Sequence, residues 1–240
     1  MVNSTIYKFN TQNIQMRETP PHRAEKLHLK QAAIWDFWVN EIDKDEDRLR
    51  AERFLGKINH SPPYLDIGCG PGRVLEALAQ SGETQIYGID LSEKMIERAR
   101  QRMTPYLKES TSEQVLIGDM MAIDQVFPDQ EFATIFLSRV LQQTYRRLAR
   151  SVLESVAKIS SPNAQVFLSV RSTAMAPREK SIVHGEPGSY RHRTGWIKTY
   201  YRESDLNDAA RGLFDIQSLR ESRGSGPNPM IDWHAELRRR

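Results

Sequence analysis

The chain has 240 residues, 39% of them hydrophobic, which fits one large domain or two small ones around a buried core, a single domain with additions being the simpler expectation. Its 34 Lys+Arg against 31 Asp+Glu leave a net charge of +3, a weak electrostatic footprint for a dedicated nucleic-acid binder. No apolar run approaches the roughly 20 residues of a bilayer span, the N-terminus lacks the apolar middle of a secretory signal, and the lone Cys69 excludes an intramolecular disulfide or a cysteine-based zinc site. The expectation is a cytoplasmic protein with no membrane partner and no metal.

In chain order, residues 24 to 58 place apolar groups at helical spacing, with Trp35, Trp38 and Ile42 along one face. They read as two helices ahead of the main sheet, serving as a lid or as plain core, and residues 1 to 61 are taken as an N-terminal helical extension. From Pro62 onward, short β-branched or apolar runs alternate with amphipathic stretches, the rhythm of βαβ units in a parallel sheet. The predicted strands are 63 to 67, 85 to 89, 114 to 117, 132 to 137 and 164 to 170, all sharing one direction. The predicted helices are 71 to 81, 92 to 104 and 142 to 159.

After residue 171 the rhythm breaks. Residues 171 to 202 read as a basic, loop-like insert carrying Tyr190, Trp196, Tyr200 and Tyr201. A helix is predicted over 203 to 211, stopped by Gly212 where a left-handed cap is wanted. Two last apolar runs, 213 to 219 and 230 to 237, read as a closing antiparallel hairpin.

The strongest motif is YLDIGCGPGR at 64 to 73, a buried strand running into Gly68, Gly70 and Gly72 and then a helix. Glycine is needed where the chain turns sharply and a ligand approaches the backbone. A dinucleotide turn would read Gly-x-Gly-x-x-Gly, but its third glycine position is Arg73 here, so the spacing suits a cofactor without a pyrophosphate. The next strand ends in Asp90, whose carboxylate can accept two hydrogen bonds from a ribose diol or cap the following helix. The third ends in VLIGDMM, placing Asp119 to accept an exocyclic amine and Met120 to offer an amide and an apolar surface to a ring.

The ordered set LDIGCGPG, GIDLSEKMIERAR and GDM, followed by a strand and a helix opening at Ser138, resembles the class I S-adenosylmethionine-dependent methyltransferase family. The resemblance covers residues 62 to 170 well and the closing elements loosely. It implies a doubly wound, Rossmann-like α/β fold: a seven-stranded mixed sheet, last strand antiparallel, helices on both faces, over residues 62 to 240. It also implies S-adenosylmethionine as cofactor and S-adenosylhomocysteine as product. Asp66 and Gly68 would line the methionine moiety, Asp90 the ribose, and Asp119 with Met120 the adenine. Cys69, Gly70, Gly72, Leu91 and Ser138 complete the implied cofactor-binding set.

A sulfonium is an activated donor, so the protein has mainly to align an in-line displacement and exclude water. Candidates for acceptor contact are Arg139, Gln142 and Gln143 after the fourth strand, and Tyr190, Arg193, Trp196 and Tyr200 in the insert. His184 and His192 are the histidines that could serve as base, or exposed loop residues. The insert arginines fit an anionic acceptor or a solvated face. The reading is a small-molecule methyltransferase, monomer or dimer. An RNA or protein methyltransferase is the alternative, although LSRVLQQ stands where base-modifying enzymes often carry Asn/Asp-Pro-Pro-Tyr, and a non-catalytic cofactor-binding module is the third reading.

Overall fold

Four strands with buried apolar centres are laid side by side in the middle of the sheet. A computed structural model describes residues 55, 56, 58–177, 183, 185–191, 196–224 and 230–240. In chain order the main elements are β1 (Tyr64–Ile67), α1 (Arg73–Gln80), β2 (Ile86–Asp90), α2 (Glu93–Leu107), α3 (Thr111–Gln114), β3 (Val115–Ile117), α4 (Ile123–Val126), β4 (Phe132–Ser138), α5 (Ala149–Lys158) and β5 (Ser160–Arg171). They continue with β6 (Ser189–Arg191), β7 (Ile197–Thr199), α6 (Glu203–Ala210), β8 (Phe214–Arg223) and β9 (Ile231–Arg239).

The seven-stranded sheet has the order β3-β2-β1-β4-β5-β9-β8. β1 to β5 are mutually parallel through the β1–β2, β2–β3, β1–β4 and β4–β5 ladders. β9 is antiparallel to both β5 and β8, so it is the single reversed strand and lies inside the sheet, with β8 at the edge. The chain order reverses between β1 and β4, and at such a switch point a crevice opens beyond the carboxyl ends of the strands.

Side chains alternate across the sheet, so each strand feeds two cores. Leu65, Ile67, Ile135, Leu137, Val166 and Leu168 pack with Val152 and Val156 of α5 and Leu206 of α6. Tyr64, Ile86, Phe136 and Phe167 meet Leu75 and Leu78 of α1 and Ile96 and Met103 of α2 on the other face. No helix among the described residues is long and apolar enough to cross a membrane.

Several boundaries differ from the sequence reading. The helix predicted over 142 to 159 is broken: 3-10 turns span Leu141–Gln143 and Arg146–Leu148, and α5 begins only at Ala149. Thr144 and Tyr145 are extended, and the Thr144 carbonyl accepts the Thr199 hydroxyl, so the break is held by a partner 55 residues away. The insert is not plain loop, because β6 and β7 pair antiparallel within it. β5 starts earlier than predicted, and the closing strands reach Arg223 and Arg239. The predicted N-terminal extension, with Trp35, Trp38 and Ile42, lies almost wholly outside the described residues.

Ile135 sits mid-sheet with no exposed surface. Ile135→Ala should lower unfolding free energy by about 2–5 kcal/mol, and Glu97→Ala on the exposed side of α2 by less than about 0.5 kcal/mol, both read from urea denaturation.

Candidate functional site

The turn after β1 takes all three of its glycines through left-handed backbone: φ is 69° at Gly68, 53° at Gly70 and 82° at Gly72. Two of them are also places of close approach. A Cβ on Gly68 would lie 2.5 Å from Val140 Cγ2, and one on Gly72 would lie 3.2 Å from Ala99 Cα, where α1 crosses α2. At Gly70 nothing stands within 4 Å of that position, so the turn has an open side at its middle.

Asp90 fastens this turn. Its Oδ2 accepts the Gly70 N–H at 2.9 Å and its Oδ1 accepts the Ser92 N–H at 2.9 Å. The helix cap is Ser92 itself, whose hydroxyl accepts Met95 N–H at 3.2 Å. Asp90 is therefore not the cap.

Beneath the turn lies Asp66, 3% exposed and without a hydrogen bond among the described residues. Burial pushes its carboxyl up to about 8, the nearby Asp90 charge pushes the same way, and Arg73 opposes them. The Asp90 charge beneath the glycine turn disfavours a pyrophosphate, and a cation there would draw the neighbouring Asp66 into its ionised form. Cys69 points the other way: its thiol packs into the α1 core beside Gly88, and burial, Asp90 and Asp66 hold it protonated. Any part it has at this site belongs to its backbone.

At the tip of β3, Asp119 Oδ1 accepts the Met121 N–H at 2.9 Å, fixing its own turn, and Met120 is 8% exposed within the core. Leu91 is half-buried beside Asp90. Beyond β4, Ser138 is exposed, with Oγ 3.2 Å from that of Ser169, and Arg139 is held at φ 60°. A non-glycine residue there costs of order 1–3 kcal/mol and persists where its surroundings over-determine it. Arg139 Nη2 donates to Asp232 Oδ2 at 3.0 Å, while the buried Arg171 donates to Asp232 Oδ1 at 2.8 Å. The β5–β9 register sets Arg171 opposite Asp232.

Residues 65–163 match the family described as a methyltransferase domain. Among curated relatives of the methyltransferase domain, the 27-O-demethylrifamycin SV methyltransferase of Amycolatopsis mediterranei is 28% identical over 146 residues, 60% of this chain and 50% of that one. The tRNA (guanine-N(7)-)-methyltransferase of Oenococcus oeni is 26% identical over 117 residues, 46% and 53% of the two chains. The matched stretch spans about half the length of these relatives. The fold is shared with the 1,6-didemethyltoxoflavin-N1-methyltransferase of Burkholderia thailandensis, at TM-score 0.68 and 15% identity over 94% of this chain and 93% of that one.

The methyltransferase domain brings Asp66, Gly68, Gly70, Gly72, Asp90 and Ser138 to the carboxyl edge of its central strands, and Asp119 to the tip of the neighbouring β3. It turns Gln142 inward instead: this side chain is 3% exposed, and its Oε1 accepts the Arg171 N–H at 3.0 Å, which removes it from an acceptor-facing position. Gln143 is half-buried on the same 3-10 turn. Tyr190 and Tyr200 meet edge to face at 5.4 Å, with Tyr200 8% exposed, and Trp196 lies under Lys198. His184, His192 and Arg193 lie outside the described residues. Asp232 and Lys198 were not singled out from sequence. Only strand pairing reveals Asp232, 93 residues from Arg139, and Lys198 was one cation among the seven of its insert.

Between the ordinary carboxyl value of 3.8 and about 8, an unfolded Asp66 is ionised while the folded one keeps its proton. The unfolded state then binds fewer protons, so stability falls as pH rises through that window. The melting temperature of ligand-free protein should decline from pH 5 to pH 8, in the range about 4 to about 8 set by this shift, and Asp66→Asn should flatten the decline. An unchanged slope in the variant would remove the buried neutral carboxyl.

Proposed function

We propose that this protein transfers a methyl group from S-adenosylmethionine to a small-molecule acceptor bearing an oxygen, nitrogen or sulphur nucleophile. The observation that carries the reading is the buried, unpartnered Asp66 next to Asp90 under an open glycine turn. A donor with a sulfonium and an ammonium group meets charge of the right sign there, whereas a dinucleotide phosphate does not. The bound cofactor supplies a methyl group already activated for displacement.

The chain's own part is to bind, orient and exclude water. Gly70 leaves space beside the backbone, and Asp66 lies where the cationic end of the donor would be neutralised. Asp90, at the end of β2 beside the turn, is the carboxylate for a ribose diol, and the half-buried Asp119 is the acceptor for the adenine amine. Ser138, Arg139 and the β6–β7 hairpin stand on the acceptor side, across the switch point from β2 and β3. The rifamycin and toxoflavin enzymes, named for small acceptors, support that class. The free, buried Cys69 is in keeping with a reducing, cytosolic compartment.

An RNA acceptor is the second reading, supported by the tRNA methyltransferase relative. It would show substrate binding that falls steeply with salt.

Calorimetry should show S-adenosylmethionine binding to folded protein, and a clean null titration would end the proposal. Asp90→Ala should weaken that binding by about 1–3 kcal/mol, and no change would break the ribose assignment. Below pH 8, titrations in buffers of different ionisation enthalpy should also reveal proton release as Asp66 ionises beneath the cation.

A further inference from the structure

We infer that Lys198 and Arg139, braced by the buried Arg171–Asp232 ion pair, form a subsite that holds a carboxylate or phosphate group of the methyl acceptor; the inference rests on the methyltransferase reading and names its substrate class.

Charge balance is the starting point. Asp232 is 5% exposed and shares its two oxygens between Arg171 and Arg139. One carboxylate between two guanidiniums leaves a positive charge over. Lys198 brings another, because its strand β7 lies against the 3-10 turn that follows β4, with Thr199 bonded to the Thr144 carbonyl and Tyr201 Oη donating to the Leu141 carbonyl. The ammonium sits 5.2 Å from the centre of the Trp196 ring and has no hydrogen bond or ion pair among the described residues. Burial and both guanidiniums hold its acidity up, with a pKa of about 8, and Asp232 opposes them only in part.

Two guanidiniums sharing one carboxylate, with a part-buried ammonium whose charge they disfavour, are costly until an anion arrives. Arg171 is fully committed to the fold: its side chain is 6% exposed, its N–H goes to Gln142 and its carbonyl receives the Tyr201 N–H. Arg139 is different, with a side chain 36% exposed and donors beyond the one given to Asp232. Arg139 and Lys198 are thus the cations open to a guest, and Arg171 with Asp232 is the base they rest on.

Position links this subsite to the reaction. Arg139 is followed by Val140, the residue that presses on Gly68 in the cofactor turn. Trp196 beneath the ammonium, and Tyr190 opposite Lys198 in the β6–β7 ladder, give the guest an aromatic wall. An acceptor anchored here by an oxyanion would have its nucleophile directed towards β1, with guanidinium and ammonium donors supplying charge-assisted bonds.

The test uses full-length protein with saturating S-adenosylhomocysteine, titrated with benzoate, phenyl phosphate and the neutral twin benzamide, followed by calorimetry and tryptophan fluorescence. Benzoate or phenyl phosphate should bind roughly tenfold or more tightly than benzamide, and the stronger of the two assigns the group. Lys198→Met and Arg139→Asn, the latter chosen because Asn accepts left-handed backbone, should each remove about tenfold of that preference, while Lys198→Arg retains it. In the wild type, benzoate affinity should fall above about pH 8 as Lys198 loses its proton; the charged groups acting on it are Arg139, Arg171 and Asp232, with Tyr190 opposite it in the β6–β7 ladder, and the fall should vanish in Lys198→Arg. Equal binding of benzamide and benzoate by wild-type protein overturns the subsite, as does an unaltered preference in Lys198→Met. Failure of S-adenosylhomocysteine itself to bind would instead break the cofactor reading, and the same titrations on cofactor-free protein would still decide the anion subsite.

Discussion

One carboxylate ties the cofactor side of this protein together. Asp90 ends β2, yet both of its oxygens accept backbone N–H groups, one from the middle of the turn after β1 and one from the entry to α2. The glycines can hold left-handed backbone only if something offsets the conformational freedom that they lose on folding. Two charge-assisted bonds from a neighbouring strand do so. The geometry in turn depends on β1 and β2 being parallel and in register, with Asp66 beside Gly88, so the sheet and the turn stand or fall together.

The same arrangement explains why Asp66 can be buried without a partner. A lone carboxyl in an apolar layer is expensive when charged, and it responds by keeping its proton. Asp90 adds to that pressure while remaining anchored to its own donors. A cationic guest reverses the balance, because its charge makes the ionised form of Asp66 the favourable one. The protonation of Asp66 is thereby sensitive to the sign of any charge brought beside it.

The central strands and the glycine turn were legible in the sequence because their signals are local. A parallel strand buried on both faces reads as an unbroken apolar run, and YLDI followed by three closely spaced glycines leaves few alternatives. The helix over 142 to 159 was misjudged because its apolar spacing continues through Thr144 and Tyr145, whereas a hydroxyl on distant β7 pulls that stretch into extended form. Gln142 has the composition of a substrate contact and the structure uses it to hold the Arg171 amide. Asp232 carried no signal at all, being an ordinary acid in an edge hairpin until the β5–β9 ladder sets it against Arg171. What sequence missed is what depends on pairings between distant segments.

The reversed strand β9 has a wider effect. It delivers Asp232 from the C-terminal hairpin to the acceptor edge, on the far side of β4 and β5 from the donor turn. The acid that pairs with Arg171 and Arg139 is therefore supplied by a different stretch of chain from the one that forms the glycine turn. The salt-bridged cluster at the end of β5 and the glycine turn after β1 are thus built from distant stretches of the chain that meet at Arg139 and Val140.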